Sequence, residues 1–215
     1  MLFRSQDMTT DIWLKLAKQI NQTLASPDND GVVITHGTDT IEETAYFLNL
    51  VVRSKKPVVL VGATRPYNHP SPDGPSNLIE AFTVATNKSA YNKGVLVVLN
   101  GKIIGARDVT KKHPYGTDSI QGTDIGILGY VNQGKVRFYH QTTKKHTANS
   151  IFDTINHNKL PTVEIIYGYA GGSNVQIESL INANIQGIVY AGVGNGNIHP
   201  ESLKALKKAR EKGIQ

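Results

Sequence analysis

The stretch 31–40 constrains the fold more than any other part of this 215-residue chain. An uninterrupted apolar and β-branched run at 31–35 ends in a polar turn with a glycine, and an amphipathic pattern follows at 41–48. That order is typical of a buried parallel strand, a tight turn and a helix that covers the sheet. Open α/β sheets bind ligands at the carboxyl ends of their strands, so Thr38 and Asp39 in this turn are candidate site residues.

The same alternation of strand and helix recurs along the chain. Apolar runs predict strands at 58–62, 94–99, 102–104, 162–167 and 187–191, and periodic patterns predict helices at 9–24, 41–53, 75–85, 175–183 and 200–212. Turns at 100–101 and 132–134 predict two hairpins, and Leu2 and Phe3 are interpreted as the tail of a strand. The predicted class is α/β, with a mostly parallel doubly wound sheet and a smaller, incomplete second α/β domain.

A polar stretch divides this alternation in two. Residues 142–160 are rich in Thr, Lys, Asn and His and carry no clear period, which is typical of an interdomain linker. We therefore predict an N-terminal α/β domain at 1–141, the linker at 142–160, and a partial C-terminal α/β domain at 161–215.

Composition excludes several classes of protein. There is no cysteine, so disulfides and thiolate metal sites are excluded, and the seven histidines fall at no metal-ligand spacing. The net charge of +6 comes from scattered basic residues, and the densest clusters, at 144–146 and 204–212, lack interleaved aromatics, which disfavours nucleic-acid binding. No apolar run approaches the ~20 residues that cross a bilayer, and the residues at 1–4 are too few for a signal peptide.

Three side chains offer chemistry for cleaving an amide or an ester. Thr38 supplies a hydroxyl, Lys111 an amine that can exchange a proton with it, and Asp39 a carboxylate that can orient the amine. Two plainer interpretations stay open: Asp39 as the N-cap of the next helix, with a glutamate at 42 or 43 completing a capping box, and Lys111 as half of a solvated basic pair with Lys112.

A nucleotide cofactor is not expected. Gly192 and Gly194 match the start of a dinucleotide fingerprint, but its last glycine is replaced by Asn197. No metal and no cofactor are therefore predicted.

Six blocks together identify a family. They are SQDM at 5–8, THGTDTIEETA at 35–45, VGATRP at 61–66, DGPSNL at 73–78, ARDVTK at 106–111 and AGVGNGN at 191–197. In this order and spacing the chain closely resembles the bacterial-type L-asparaginases of the type II, periplasmic group.

The resemblance implies an amidohydrolase that converts L-asparagine and water to L-aspartate and ammonia, often with some activity on L-glutamine, and that uses no metal or cofactor. It implies a homotetramer of intimate dimers in the periplasm, although the absence of a signal peptide leaves the cytoplasm open. No nucleic-acid or membrane partner is expected.

The resemblance also implies roles for individual residues. In the family, the positions matched by Thr38, Asp39 and Lys111 are catalytic, and the aspartate also holds the substrate ammonium. The positions matched by Ser5 and Gln6 bind the substrate carboxylate and amine, that of Ala63 carries a carbonyl near the leaving amide, and that of Asn197 supports a neighbouring subunit's site.

The family pattern begins with a strand and a Gly-Gly-Thr-Ile loop, whose threonine is the primary nucleophile. We expect the present chain to be truncated at both ends, without that loop and without the distal acidic group, and therefore to be an impaired or inactive amidohydrolase. The alternative is an amino-acid-binding module that is non-catalytic, or hydrolyses weakly through Thr38 and Lys111.

Overall fold

The computed structural model describes residues 4–123, 126–152 and 157–215. The chain forms two compact units, 1–158 and 159–215. Leu2 and Phe3, interpreted above as the tail of a strand, lie outside the described residues.

The larger unit contains three α-helices and eight strands among its described residues. The helices are α1 (Thr10–Ala25), α2 (Ile41–Val51) and α3 (Gly74–Ala85). The strands are β1 (Val32–Thr35), β2 (Val58–Val61), β3 (Val95–Leu99), β4 (Lys102–Gly105), β5 (Val109–Lys111), β6 (Ile120–Gly122), β7 (Gly129–Asn132) and β8 (Lys135–Phe138). Short 3-10 turns lie at Ser5–Asp7, Lys88–Ala90 and Thr147–Asn149.

Six of these strands form one sheet in the order β1-β2-β3-β4-β7-β8, while β5 and β6 form a separate ribbon. Strands β1, β2 and β3 are parallel, and every later pairing in the large sheet is antiparallel. The α/β class is confirmed, but the expectation of a mostly parallel sheet needs correction, because the sheet is mixed. The chain reverses after β3 at Asn100 and Gly101, whose φ angles of 53° and 72° suit a two-residue hairpin.

The hydrophobic core lies on both faces of the large sheet. Every residue of β2 and β3 is buried. One face packs against α1 and α2 through residues such as Ile20 and Leu48, and the other packs against α3 through residues such as Val84. Strands that are apolar on both faces must be covered on both sides, which is the physical reason for the doubly wound arrangement predicted from the sequence.

The smaller unit repeats the strand–helix order. It contains β9 (Val163–Tyr167), α4 (Val175–Asn182), β10 (Gly187–Ala191) and α5 (Pro200–Glu211), with β9 and β10 parallel. Its core is formed by Ile166, Ile177, Ile181, Ala209 and Ile214. The predicted elements of both units form with ends shifted by no more than about two residues, a shift within the spread of boundary definitions.

The boundary between the units falls inside the predicted linker 142–160. The first part of that stretch packs on the larger unit, since His146 and Thr147 are buried and the Arg53 guanidinium donates to the Ser150 carbonyl at 2.7 Å. Residues 153–156 of the predicted linker lie outside the described residues. Within the described part of the chain, no helix is both long and apolar enough to cross a bilayer.

Gly94 tests how tightly the start of β3 is packed. An added Cβ at Gly94 would lie 2.6 Å from Asn49 Oδ1 and 3.3 Å from the His146 ring, whereas one at Gly134 would meet nothing within 4 Å. Both glycines have positive φ, 79° and 72°. We expect Gly134→Ala to lower the free energy of unfolding by about 1–2 kcal/mol for the backbone conformation alone. Gly94→Ala should lower it by about 1–3 kcal/mol more, because it adds an overlap. Urea unfolding of both variants measures the difference, and equal losses would contradict the overlap.

Candidate active site

The turn between β1 and α2 carries the first candidate residues. Helix α2 begins at Ile41 with Thr40 as its N-cap residue, and the Thr40 hydroxyl makes no capping bond but donates to the Ser5 carbonyl at 2.7 Å. The alternative interpretation of Asp39 as an N-cap is therefore wrong. One of the two candidate capping-box partners is engaged elsewhere, since the Glu42 carboxylate accepts the Lys111 backbone N–H at 2.5 Å.

Lys111 joins Thr38 and Asp39 in space. Its Nζ donates to Thr38 Oγ1 at 3.0 Å and forms an ion pair with the Asp39 carboxylate. The Lys111 side chain is only 16% exposed, while that of Asp39 is 58% exposed. The interpretation of Lys111 as half of a solvated pair is also wrong. The structure brings together a hydroxyl, an amine and a carboxylate from residues 72 and 73 positions apart.

The contact between Glu42 and Lys111 explains how β5 reaches this site. Strand β5 belongs to the small ribbon rather than to the large sheet. The Glu42 carboxylate on the first turn of α2 holds the backbone of Lys111, and the Lys111 side chain reaches back to the turn in front of the same helix. Sequence reasoning missed this role of Glu42, because a glutamate at this position was interpreted as a possible partner in a capping box.

Ser5 packs directly against this turn. It is buried in the 3-10 turn Ser5–Asp7, and a Cβ added to Gly37 would lie 2.6 Å from Ser5 Oγ. The position must therefore be glycine for the two segments to approach so closely. Gln6, its neighbour in the chain, is exposed, and its side chain makes no hydrogen bond within the part of the chain that is described.

Ala63 follows β2 at the same edge of the sheet. A Cβ added to the preceding Gly62 would lie 2.8 Å from the His36 carbonyl and 3.1 Å from Thr38 Cγ2, so the two main chains nearly touch. Ala63 lines a cavity of about 490 Å³ together with Ser5, Met8, Ile12, Leu16, Ile34, Thr35, His36, Gly37, Val61, Gly62, Gly74 and Leu78. The volume is that of a small-molecule site.

The loop after β2 is held by a carboxylate that the sequence did not single out. Asp73 accepts hydrogen bonds from the backbone N–H groups of Thr64 and Arg65 at about 3 Å, from the Thr64 hydroxyl at 2.8 Å and from the Asn77 amide at 3.2 Å. Burial alone would raise the pKa of Asp73, but these hydrogen bonds to its ionised form outweigh burial and lower the pKa. The Asn77 amide also donates to the Gly62 carbonyl at 3.0 Å, so this network fixes the rim next to Ala63.

The His36 ring connects the turn to helix α2 through hydrogen bonds. Its Nδ1 lies 2.7 Å from the Gly37 carbonyl and its Nε2 lies 2.9 Å from Thr44 Oγ1, which also accepts the Trp13 indole N–H at 2.8 Å. Burial lowers the pKa of His36, and the hydrogen bond to Gly37 opposes that shift only in part. The neutral ring, with its proton on Nδ1 and the Thr44 hydroxyl donating to Nε2, satisfies all three contacts.

Asn197 belongs to the smaller unit and is described there alone. It closes a tight loop in which the backbones of Val193 and Asn197 exchange hydrogen bonds at 2.8 and 3.1 Å. Gly194 and Gly196 within the loop have positive φ, and Asn197 is exposed. The loop is closed by hydrogen bonds between backbone groups, and Asn197 is exposed on it.

Among the described residues, no group of three or more histidines or carboxylates is arranged to hold a metal ion. The polar groups at the sheet edge are a hydroxyl, an amine and a carboxylate, which can exchange protons and bind a charged ligand without a metal.

Comparison with protein families gives two matches that together span most of the chain. The model described as "Asparaginase, N-terminal" matches residues 1–144, and "Glutaminase/Asparaginase C-terminal domain" matches residues 162–215.

Individual relatives agree with these matches. The chain is 48% identical over 210 residues to "Probable L-asparaginase periplasmic" of Haemophilus influenzae, covering 98% of this chain and 60% of that protein. It is 46% identical over 209 residues to "L-asparaginase 2" of Escherichia coli, covering 97% and 60%, and 41% identical over 215 residues to "Glutaminase-asparaginase" of Pseudomonas fluorescens, covering 100% and 59%. The chain thus spans about three fifths of the length of these relatives.

A solved structure, titled "Crystal Structure of Probable Cytoplasmic L-asparaginase from Campylobacter jejuni", has a TM-score of 0.94 and 48% identity to the chain. The match covers 99% of this chain and 68% of that one. At this identity the likeness supports the fold element by element.

His36 gives the stability of the chain a pH dependence. Its pKa is lowered in the folded state, so the unfolded chain binds the proton more readily, and this contribution to stability is complete above pH ~6.5 and is lost as the pH falls below it. We expect the free energy of unfolding to fall between pH 7.5 and 5.5, and His36→Gln to reduce that fall. Burial also lowers the pKa of His146, so the His36→Gln variant should keep part of the fall in the free energy of unfolding. Urea unfolding at both pH values measures the effect, with His140→Gln, an exposed site, as control. An equal fall in the parent and in His36→Gln would contradict the assignment.

Proposed function

The chain belongs to the asparaginase family, and on that premise we propose that it hydrolyses the side-chain amide of L-asparagine to give L-aspartate and ammonia. The observation that carries the proposal is the contact of Lys111 Nζ with Thr38 Oγ1 at 3.0 Å and with the Asp39 carboxylate, at the edge of the sheet beside the 490 Å³ cavity. Hydrolysis of an amide needs proton transfer to the leaving nitrogen, and a hydroxyl bonded to an amine supplies a path for it.

In this proposal Thr38 and Lys111 move the proton. The oxygen of water bonds to the amide carbon, the carbon–nitrogen bond breaks, and the proton removed from water passes through the Thr38 hydroxyl and Lys111 Nζ to the departing nitrogen, which leaves as ammonia. Asp39 holds Lys111 in place and, because its carboxylate is largely exposed, can also receive the ammonium of the substrate.

Other residues near this edge of the sheet would bind the rest of the amino acid. We propose that Ser5 and Gln6 bind the substrate carboxylate and amine, and that the Ala63 carbonyl lies near the leaving amide. The burial of Ser5 against Gly37 and the position of Ala63 on the cavity wall support these roles. The "Glutaminase-asparaginase" relatives support L-glutamine as a second substrate.

Removing either the Lys111 amine or the Thr38 hydroxyl tests the proposed path of the proton. We expect Lys111→Met and Thr38→Val to release ammonia from L-asparagine at least about 100-fold more slowly than the parent chain, since each breaks the proton path. Lys112→Met is the matched control, because Lys112 is the neighbouring lysine and is exposed. A coupled ammonia assay on the purified chain measures the rates.

The rate of ammonia release alone does not distinguish an enzyme from an amino-acid-binding module. The assay is therefore paired with calorimetric titration of L-aspartate, which requires only the pocket. If the parent chain gives heat on titration with L-aspartate but releases no ammonia from L-asparagine, the alternative of an amino-acid-binding module is favoured. The proposal is overturned if the chain releases no ammonia from L-asparagine or L-glutamine and also gives no heat on titration with L-aspartate.

We also propose that the chain assembles as a homo-oligomer, with a tetramer as the expected state and Asn197 at the site of a neighbouring protomer. Exposed apolar side chains on α3 support a subunit interface, because Ile79 is 69% and Phe82 54% exposed. Light scattering after size-exclusion chromatography should give four times the mass of one chain, and Ile79→Ser with Phe82→Ser should lower it. Tyr67→Ser, at a position 90% exposed outside α3, is the control. A monomeric parent chain would contradict the proposal.

The proposed cellular compartment of the chain rests only on the names of its relatives. We propose the periplasm on the name of the Haemophilus influenzae protein, while the Campylobacter jejuni structure carries a cytoplasmic title.

A further inference from the structure

A second, strongly basic pocket lies at the opposite edge of the large sheet from Thr38 and Lys111. It encloses about 260 Å³ and is lined by Asn92, Lys93, Gln141, Thr142, Thr143, Lys144, Lys145, His146 and Asn149. Asn92 and Lys93 come just before β3, so the pocket lies at the amino end of that strand, whereas the candidate active site lies at the carboxyl ends of its parallel neighbours. Neither the family resemblance nor the proposed reaction uses this pocket.

The lining of the pocket carries positive charge without a compensating acid. Three of its residues are lysines, and none is a carboxylate. Among the described residues, no ion pair engages Lys93, Lys144 or Lys145. Lys93 is placed instead by an aromatic ring, with its Nζ 5.3 Å from the centroid of Phe138. Three lysines that line one small pocket repel one another, and an anion bound among them reduces that repulsion.

The chain beside the pocket is buried at His146 and strained at the next residue, Thr147. His146 and Thr147 are 7% and 3% exposed, and His146 Nδ1 lies 2.9 Å from Thr147 Oγ1. Thr147 has a φ of 40°, a region that β-branched residues rarely adopt. The His146 ring packs against the backbone of Gly94, where no side chain would fit. Strained backbone of this kind persists where the surroundings impose it and is frequent at binding sites.

We propose that this pocket binds a small, soluble anion that carries phosphate groups. The lysine ammonium groups supply charge, and the amides and hydroxyls of Asn92, Gln141, Thr142, Thr143 and Asn149 supply neutral hydrogen-bond donors to several oxygens at once. The volume of 260 Å³ lies below the range of drug-sized pockets and suits a ligand the size of pyrophosphate or a small phosphorylated metabolite.

The test uses the full chain with inorganic phosphate and pyrophosphate as probes at constant ionic strength. Titrations followed by the amide resonances of residues 92–93 and 141–149 should show saturable shifts with pyrophosphate, with a dissociation constant below about 1 mM. The triple variant Lys93→Gln, Lys144→Gln and Lys145→Gln should bind at least tenfold more weakly. The matched control removes the same charge from α5 and the residue that follows it, with Lys207→Gln, Lys208→Gln and Lys212→Gln, and should bind like the parent chain.

Each other outcome overturns the proposal. No saturable shift with either probe would show that the pocket does not bind phosphate. Equal weakening in both triple variants would assign the binding to net charge rather than to this pocket. Capture of the chain by vesicles of phosphatidylcholine and phosphatidic acid, without a response to pyrophosphate, would assign the lysines to a lipid surface instead. Because the probes and the readout do not involve asparagine, failure here is distinct from failure of the proposed hydrolysis.

Discussion

The burial of β2 and β3 on both faces is the constraint on which the rest of the larger unit depends. All nine residues of these strands are apolar and buried, so helices must cover each side of the sheet. The polar residues that follow the parallel strands are then left at the carboxyl edge of the sheet, where backbone turns and charged side chains remain near water. The packing of the core therefore determines where in the fold polar side chains can form a site.

The site itself depends on a second link, between the sheet and a ribbon that is not part of it. Glu42 on α2 binds the backbone of Lys111 in β5, and the Lys111 side chain returns to Thr38 and Asp39 in front of the same helix. A long, flexible lysine side chain gains a defined position when its backbone and its amine are held by groups only a few residues apart. The carboxylate of Asp73 does the same for the opposite rim, where it holds the backbone at Thr64 and Arg65.

Much of this arrangement could be predicted from the sequence, because it follows from local patterns. The β-branched runs, the asparagine–glycine turn at 100–101 and the turn that carries Thr38 and Asp39 all formed as predicted. Both hairpins were predicted, but the pairing of β4 with β7, which places them in the same sheet as the parallel strands, was not, since it joins strands that are distant in the chain. The roles of Glu42 and Asp73 were missed for the same reason: each binds backbone from a segment that no periodicity connects to its own. The catalytic and binding roles of the site residues and the domain boundaries stay predictions.

Gly37 and Gly62 bring separate segments of the candidate active site into close contact. At Gly37 the chain leaves no room beside Ser5 Oγ for even one carbon, and at Gly62 it leaves none beside the His36 carbonyl. The contact at Gly62 joins two main chains, and because peptide planes have no rotamers, side-chain motion does not change the spacing there. Substitutions on the cavity wall would therefore alter the lining of the cavity and leave the spacing of these two segments unchanged.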